Sequence, residues 1–272
     1  MSIGRNGRIQ RLPMSRLRDQ SFNRLIPNIL TLLALCAGMT AIRLALVARW
    51  ELAVAAIAVA AVLDALDGRI ARLLDSSSKF GAELDSLADV VGFGVVPGLL
   101  LYIWTMHDAG GIGWAVTLLF AVCCSLRLAR FNTKLENTDL PAWTGRFFVG
   151  VPAPAGAGLA LTPMMANFEF GTGWWDRPFF VGLVMLAVAG LMVSRVPTFS
   201  FKRLKVPPRA VLPTMIGIGL FIAFVISTPW ITFLVLAAAY LASFPVSIFA
   251  HRRLAARRAV VEPVDQSNSL TQ

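Results

Sequence analysis

Residues that ligate zinc or form disulfides are scarce in this chain of 272 residues, which has three cysteines and two histidines. Cys36, Cys123 and Cys124 all lie within apolar runs, at spacings that exclude a disulfide framework and a zinc site. They are interpreted as small core residues. His107 and His251 have no partners nearby in the sequence, so neither is assigned a catalytic role.

Charge is also sparse. Only 15% of the residues are charged, whereas 57% are hydrophobic and the mean hydropathy is +0.69. These values are far from those of a soluble domain and indicate a polytopic membrane protein. A cleaved secretory signal is not expected, because the apolar run from Ile26 is too long for one and many more runs follow it.

The apolar runs predict an all-α fold with about eight membrane-spanning helices, each able to cross about 30 Å of hydrocarbon. The predicted spans are residues 27–48, 51–73, 83–105, 112–131, 149–166, 178–195, 209–227 and 230–250. The fifth span is the weakest, because prolines and glycines at positions 152, 154, 156 and 158 interrupt or kink its start.

The basic residues are distributed very unevenly between the two sides of these spans. With the N-terminus inside, 22 of the 25 Lys and Arg residues lie on the inner side, and only Arg43, Arg49 and Arg177 lie outside. By the positive-inside rule both termini are cytoplasmic, as an even number of spans requires. The net charge of +10 is therefore interpreted as a topology signal and not as a nucleic-acid-binding surface.

The same pattern divides the chain into three parts. Residues 1–25 form a basic cytoplasmic segment, interpreted either as an amphipathic helix at the membrane surface or as a disordered tail. Residues 26–250 form the membrane domain. Residues 251–272 form a cytoplasmic tail that is basic and then disordered.

Four aspartates interrupt the apolar sequence at the cytoplasmic ends of the second and third spans. Asp64 and Asp67 are three residues apart and Asp85 and Asp89 four apart, so each pair shares a helix face. Charges in membrane sequence are costly and mark functional sites. Unless neutralised, converging carboxylates would repel one another, and their oxygen-only ligand set favours two Mg²⁺ or Mn²⁺ ions. Interhelical hydrogen bonding or a proton relay is the alternative.

Residues beside the aspartates suit a ligand that contains phosphate. Two-metal sites commonly hold phosphoryl or nucleotidyl groups. Gly68 and Gly81 would let a bulky ligand approach the backbone, and Arg72 could pair with a phosphate. The sequence thus predicts a pocket open to cytosolic solutes and to lipid head groups.

The complete pattern resembles the motif of the CDP-alcohol phosphotransferase family. It reads Asp64-x2-Asp67-Gly68-x2-Ala71-Arg72-x8-Gly81-x3-Asp85-x3-Asp89, with eight fixed positions across 26 residues and no departure. The family consists of integral membrane enzymes that join an alcohol to the phosphatidyl (or related) group of a CDP-linked donor and release CMP.

The resemblance implies roles for individual positions. Asp64, Asp67 and Asp85 would bind the metal ions, and Asp89 would complete the metal site or act as the base. The implied contacts to the CDP-lipid are Asp64, Gly68, Ala71, Arg72, Ser78, Gly81, Asn28 and Thr31. A homodimer is also implied.

Other stretches resemble the phosphatidylserine synthase branch of this family, which implies CDP-diacylglycerol as donor and L-serine as acceptor. They are PNILT at 27–31, FGVVPG at 93–98, SLRLARFN at 125–132, FFVGVPAPAGAG at 147–158 and SRVPTFSFKRL at 194–204. The carboxylate of serine needs a cation, so Arg127 and Arg130 are predicted to bind it, and Asn132 could add a hydrogen bond. Membrane anchoring is the alternative for both arginines.

Two other functions stay open. The acceptor could be glycerol 3-phosphate, an inositol phosphate or choline, although a phosphorylated acceptor would need a denser cationic cluster. A metal-coupled transporter is the second alternative, although no obvious inverted repeats with broken helices support it. The compact single-domain build favours a bacterial inner membrane.

Overall fold

Helices make up nearly all the regular structure in the computed structural model, which describes residues 14–76, 78–136, 147–194, 197–199 and 210–259. The helices are α1 (Met14–Leu46), α2 (Trp50–Leu73), α3 (Lys79–Asp89), α4 (Val96–Trp104), α5 (Gly110–Glu136), α6 (Ala153–Ala160), α7 (Thr162–Phe170), α8 (Pro178–Val193), α9 (Val211–Ser227) and α10 (Pro229–Ala259). Short 3₁₀ turns cover Met106–Ala109 and Trp174–Asp176. Strands β1 (Phe147–Val149) and β2 (Pro197–Phe199) form a two-stranded antiparallel ladder. The all-α prediction is confirmed apart from this ladder.

Three stretches of the described residues are long and apolar enough to cross a membrane. They are Leu25–Leu46, Lys79–Trp104 and Met106–Thr133. Shorter apolar helices cover Pro178–Val193, Val211–Ser227 and Pro229–Phe244. This pattern identifies an integral membrane protein, while the count of eight spans stays a prediction.

Two helices extend beyond the predicted spans. Helix α1 begins at Met14 and runs through Pro27 without a break, so it joins part of the predicted N-terminal segment to the first span. Helix α10 continues past residue 250 to Ala259, into the predicted tail. Residues 1–13 and 260–272 lie outside the described part of the chain, so the predicted tails stay predictions there.

The fifth predicted span is divided into two short helices. Helix α6 starts after Pro152, has Pro154 in its first turn and ends before Leu161, and α7 has Pro163 in its own first turn. Proline is tolerated in a first helical turn, where its missing N–H would have no partner within the helix. Pro152 and Pro154, which were expected to interrupt or kink the start of this span, therefore begin α6, and the break falls at Leu161 before α7.

A six-residue π-helical segment, Val90–Val95, joins α3 to α4 directly after Asp89. The third predicted span is thus one continuous helix with a wider turn in its middle. Such π turns are rare in proteins, and those that occur are often found at functional sites. Nothing in the hydropathy pattern predicts this one, because the segment VVGFGV has no polar residue whose spacing could distinguish a π turn from an α-helical turn.

The apolar core is formed by α4 to α8, and α1 and α2 add smaller buried residues to it. Its largest fully buried side chains include Leu100, Phe120, Met164 and Met185. Helix α1 packs along α2 and also contacts α3, α4 and the π segment. This packing brings the ends of α2, α3 and α5 that carry the charged motif residues together, outside the apolar core.

Candidate metal and substrate site

The turn between α2 and α3 brings the two aspartate pairs to face each other. Helix α2 carries Asp64 and Asp67 and ends at Leu73, and α3 starts after Ser78. The Oγ atom of Ser78 accepts a hydrogen bond from the backbone N–H of Gly81 at 3.0 Å, which caps α3. The cap therefore sets where α3 begins and which face it turns toward α2.

Three of the four aspartates form a compact oxygen cluster. Asp64, Asp67 and Asp85 each place one carboxylate oxygen within 4.8 Å of the other two. Asp67 is only 4% exposed, and the other two are partly buried. Carboxylates held this closely and away from water need a compensating cation. Their oxygen-only donor set fits a divalent ion such as Mg²⁺ or Mn²⁺, so these residues can hold a metal.

Thr31 of α1 supports the most buried of these carboxylates. Its hydroxyl group donates a hydrogen bond to Oδ2 of Asp67 at 2.6 Å, and it also lies 3.1 Å from the carbonyl oxygen of Pro27. A neutral donor orients a carboxylate without cancelling its charge, as the partners of metal ligands commonly do. Thr31 therefore contributes to the geometry of the cluster from a third helix.

Asp89 lies beside this cluster, within hydrogen-bonding reach of Asp64. Arg127 of α5 is close enough to both carboxyl groups for direct electrostatic attraction. The guanidinium carbon of Arg127 also lies 5.4 Å from the ring centroid of Phe131, a cation–π distance. Asp89 therefore has both the carboxylate cluster and a cation as neighbours.

A cavity of about 310 Å³ opens beside the cluster, between α1, α2 and the start of α3. Asp67 and Asp85 line it, whereas Asp64 and Asp89 are absent from its lining. The residues of the implied CDP-lipid contacts that line it are Asn28, Thr31, Gly68, Ala71, Arg72, Ser78 and Gly81. The structure thus gathers every implied contact except Asp64 around one opening.

The two glycines of the motif differ in what surrounds them. An added Cβ on Gly81 would lie 2.9 Å from Oδ1 of Asn28 and 3.1 Å from Oγ of Ser78, so a larger residue there would displace these side chains. A Cβ on Gly68 would meet only the Arg72 guanidinium, at 3.8 Å from Nη1. Only Gly68 is therefore explained by space left for a ligand.

The three residues predicted to bind serine have separate surroundings. Arg127 lies near Asp89, whereas Nη1 of Arg130 donates to the backbone oxygen of Val193, at the end of α8, at 2.9 Å. Nδ2 of Asn132 donates to Oγ of Ser86 at 2.7 Å. Sequence reasoning missed Ser86, and its position between two motif aspartates is the one signal that could have indicated it.

Comparison with known families agrees with this site. The model of the CDP-alcohol phosphatidyltransferase family matches residues 24–193, and that of CDP-alcohol phosphatidyltransferase 2 matches residues 209–245. The first match spans more than half of the chain and includes all four aspartates. The chain belongs to the CDP-alcohol phosphatidyltransferase family, as its aspartate motif predicts.

Several relatives carry the name CDP-diacylglycerol–serine O-phosphatidyltransferase. The one from Mycobacterium leprae is 41% identical over 233 residues, which cover 86% of this chain and 77% of the relative. The one from Helicobacter pylori strain 26695 is 38% identical over 183 residues, 66% of this chain and 74% of the relative. The one from Bacillus subtilis is 33% identical over 178 residues, 65% of this chain and 92% of the relative. The predicted likeness to phosphatidylserine synthases is confirmed.

Replacing Thr31 tests its support of Asp67. Thr31→Val keeps the side-chain shape but removes the hydroxyl group, so we expect Mn²⁺ affinity to fall about 10- to 100-fold, as is usual when a partner of a metal ligand is lost. The measurement is Mn²⁺ titration of the detergent-solubilised protein, followed by electron paramagnetic resonance. Thr31→Ser keeps the hydroxyl group and should bind Mn²⁺ normally. Equal affinities in all three proteins would mean that the hydrogen bond does not organise the cluster.

Proposed function

We propose that this protein transfers the phosphatidyl group of CDP-diacylglycerol to the hydroxyl group of L-serine, giving phosphatidylserine and CMP. The observation that carries the proposal is the aspartate cluster, two of whose members, Asp67 and Asp85, line a cavity. Asp89 and Arg127 lie next to the same cluster. The names of relatives that cover most of the chain support serine as the acceptor.

The cavity between α1, α2 and α3 is the proposed site for the CDP-lipid. Arg72 supplies a cation for the phosphates, and Asn28 and Ser78 supply hydrogen-bonding groups on the opposite wall. Gly68 has no side chain, so the nucleotide could approach the backbone of α2 there. The exposed end of α2 then faces lipid head groups, where the donor resides.

The aspartates are the proposed ligands of two Mg²⁺ or Mn²⁺ ions. Asp64, Asp67 and Asp85 would hold them, with Asp89 completing the site or remaining available as a base. When bound, the ions would neutralise the pyrophosphate and stabilise charge on the departing CMP. Thr31 orients Asp67 for this task and leaves its charge in place.

Asp89 is the proposed base for the acceptor. It takes the proton of the serine hydroxyl group, and the hydroxyl oxygen attacks the phosphorus on the lipid side of the pyrophosphate. A new phosphorus–oxygen bond forms to serine as the bond to CMP breaks. Arg127, which lies near Asp89, would bind the serine carboxylate. Arg130 and Asn132 complete the proposed acceptor side, at the same end of α5.

Acceptor specificity is tested by measuring CMP release from CDP-diacylglycerol in purified membranes with Mg²⁺ or Mn²⁺. We expect release with L-serine and little with glycerol 3-phosphate, an inositol phosphate or choline. Arg127 can pair with the single carboxylate of serine, whereas a phosphorylated acceptor would need a denser cationic cluster and choline has no anionic group to pair with it. Faster release with another alcohol would reassign the acceptor. No release with any acceptor would favour the metal-coupled transporter.

The role of Asp89 is tested with Asp89→Asn. Loss of the base should lower kcat by at least about 100-fold. Glu83→Gln changes an exposed carboxylate on the same helix and should leave kcat unchanged. Mn²⁺ affinity separates the two roles, because a pure base would leave it intact and a metal ligand would not. Near-normal turnover by Asp89→Asn would exclude Asp89 as the base.

We further propose eight spans with both termini in the cytoplasm of a bacterial inner membrane. A fluorescent protein fused after Gln272 should then fluoresce, and alkaline phosphatase fused there should be inactive. Fusions after Gly173, between α7 and α8, should give the opposite pattern. The same pattern at both positions would refute this topology. The implied homodimer is measurable by light scattering in detergent.

A further inference from the structure

The π segment after Asp89 packs so closely against α5 that a side chain added at Gly94 would force its neighbours to shift. An added Cβ on Gly94 would lie 3.1 Å from Cβ of Cys124 and 3.2 Å from its Sγ. Gly94 is buried and Cys124 is 0% exposed. Because interiors are close-packed, a methyl group at Gly94 would push the π segment and α5 apart.

This contact lies about one turn from Asp89 and Arg127. Asp89 precedes Gly94 by five residues, the repeat of a π-helical hydrogen bond, and Arg127 follows Cys124 by three, close to one α-helical turn. Cys124 is also near enough to Asp89 and Arg127 to interact electrostatically with both. The Gly94–Cys124 contact and the charged residues Asp89 and Arg127 therefore lie along the same interface between the π segment and α5.

The opposite side of the π segment is backed by α1. An added Cβ on Gly38 would lie 3.5 Å from Cα of Gly92, an ordinary contact distance that shows how near the two backbones are. Phe93 between the glycines is 2% exposed. The π segment is thus held between α1 and α5, and its distance from α5 depends on the size of residues 94 and 124.

We infer that the Gly94–Cys124 contact sets the distance between Asp89 and Arg127 and that both contact residues position the acceptor. The inference rests on the proposed function, in which Asp89 takes the hydroxyl proton and Arg127 binds the carboxylate. Serine is short, so one molecule can reach both groups only if their separation matches its length. The distance between the π segment and α5 therefore determines how well the serine hydroxyl group is positioned for attack.

Gly94→Ala tests this inference through the two substrates separately. It should lower kcat/KM for serine about 10- to 100-fold, the cost of a small misplacement of reacting groups. The KM for CDP-diacylglycerol should stay unchanged, because its proposed cavity lies among α1, α2 and the start of α3. A merely structural role would impair both substrates alike, and that result would overturn the inference.

Gly98→Ala is the matched control. Gly98 also faces α5, but an added Cβ there would lie 3.5 Å from Cγ2 of Thr117 and 3.6 Å from Cδ1 of Phe120, which are ordinary contacts. Its kinetics should equal those of the unaltered protein. A loss for serine as large as that of Gly94→Ala would show that any added methyl group on this helix has the same effect, against the inference.

A size exchange completes the test. In a Cys124→Gly background the space for a methyl group exists, so adding Gly94→Ala should leave the serine KM unchanged, giving strong coupling in the double-mutant cycle. Additive losses would overturn the inference.

If Gly94→Ala fails to accumulate in the membrane, Cys124→Val enlarges the same contact from α5. Unaltered serine kinetics in Cys124→Val would overturn the inference. An unaltered protein that is inactive with serine would refute the proposed function instead.

Discussion

The structure depends on holding several carboxylates together where water is scarce. Asp64, Asp67 and Asp85 lie within 4.8 Å of one another, a distance at which like charges repel strongly outside water. The neighbouring helices supply one hydroxyl donor, from Thr31, and one cation, from Arg127. Neither cancels the charge of the whole cluster. A divalent cation bound to the cluster, as proposed, would relieve this repulsion and would couple folding of the site to its chemistry.

The partners of the carboxylates divide the site into two sides. Helix α1 contributes neutral groups, Asn28 and Thr31, where the cavity for the donor opens. Helix α5 contributes the positive charge of Arg127 next to Asp89. A neutral wall suits a ligand whose phosphates are already paired with metal and Arg72, and a cation suits an acceptor that brings its own carboxylate. The neutral and the positively charged sides of the site differ because α1 and α5 contribute to it from different directions.

Sequence reasoning predicted the aspartate site and the helical fold because both depend on local patterns, namely carboxylate spacing and apolar run length. It missed features that depend on contacts between distant residues. One is the π segment after Asp89, which packs against both α1 and α5. The bond from Arg130 to Val193 joins residues in different helices. The motif predicts Gly81 as a ligand contact, whereas the structure also shows that a side chain there would crowd Asn28.

The same distinction explains why the donor side is better defined by sequence than the acceptor side. The residues of the donor cavity come from α1, α2 and α3, which follow one another directly, so the motif and a short turn capped by Ser78 bring them together. The acceptor side joins α3 to α5, and its geometry depends on how closely two separate helices approach. A motif can specify which groups react, but the packing of small buried residues decides how far apart they are. If the proposed function holds, acceptor recognition depends on the helix interface as much as on the charged side chains.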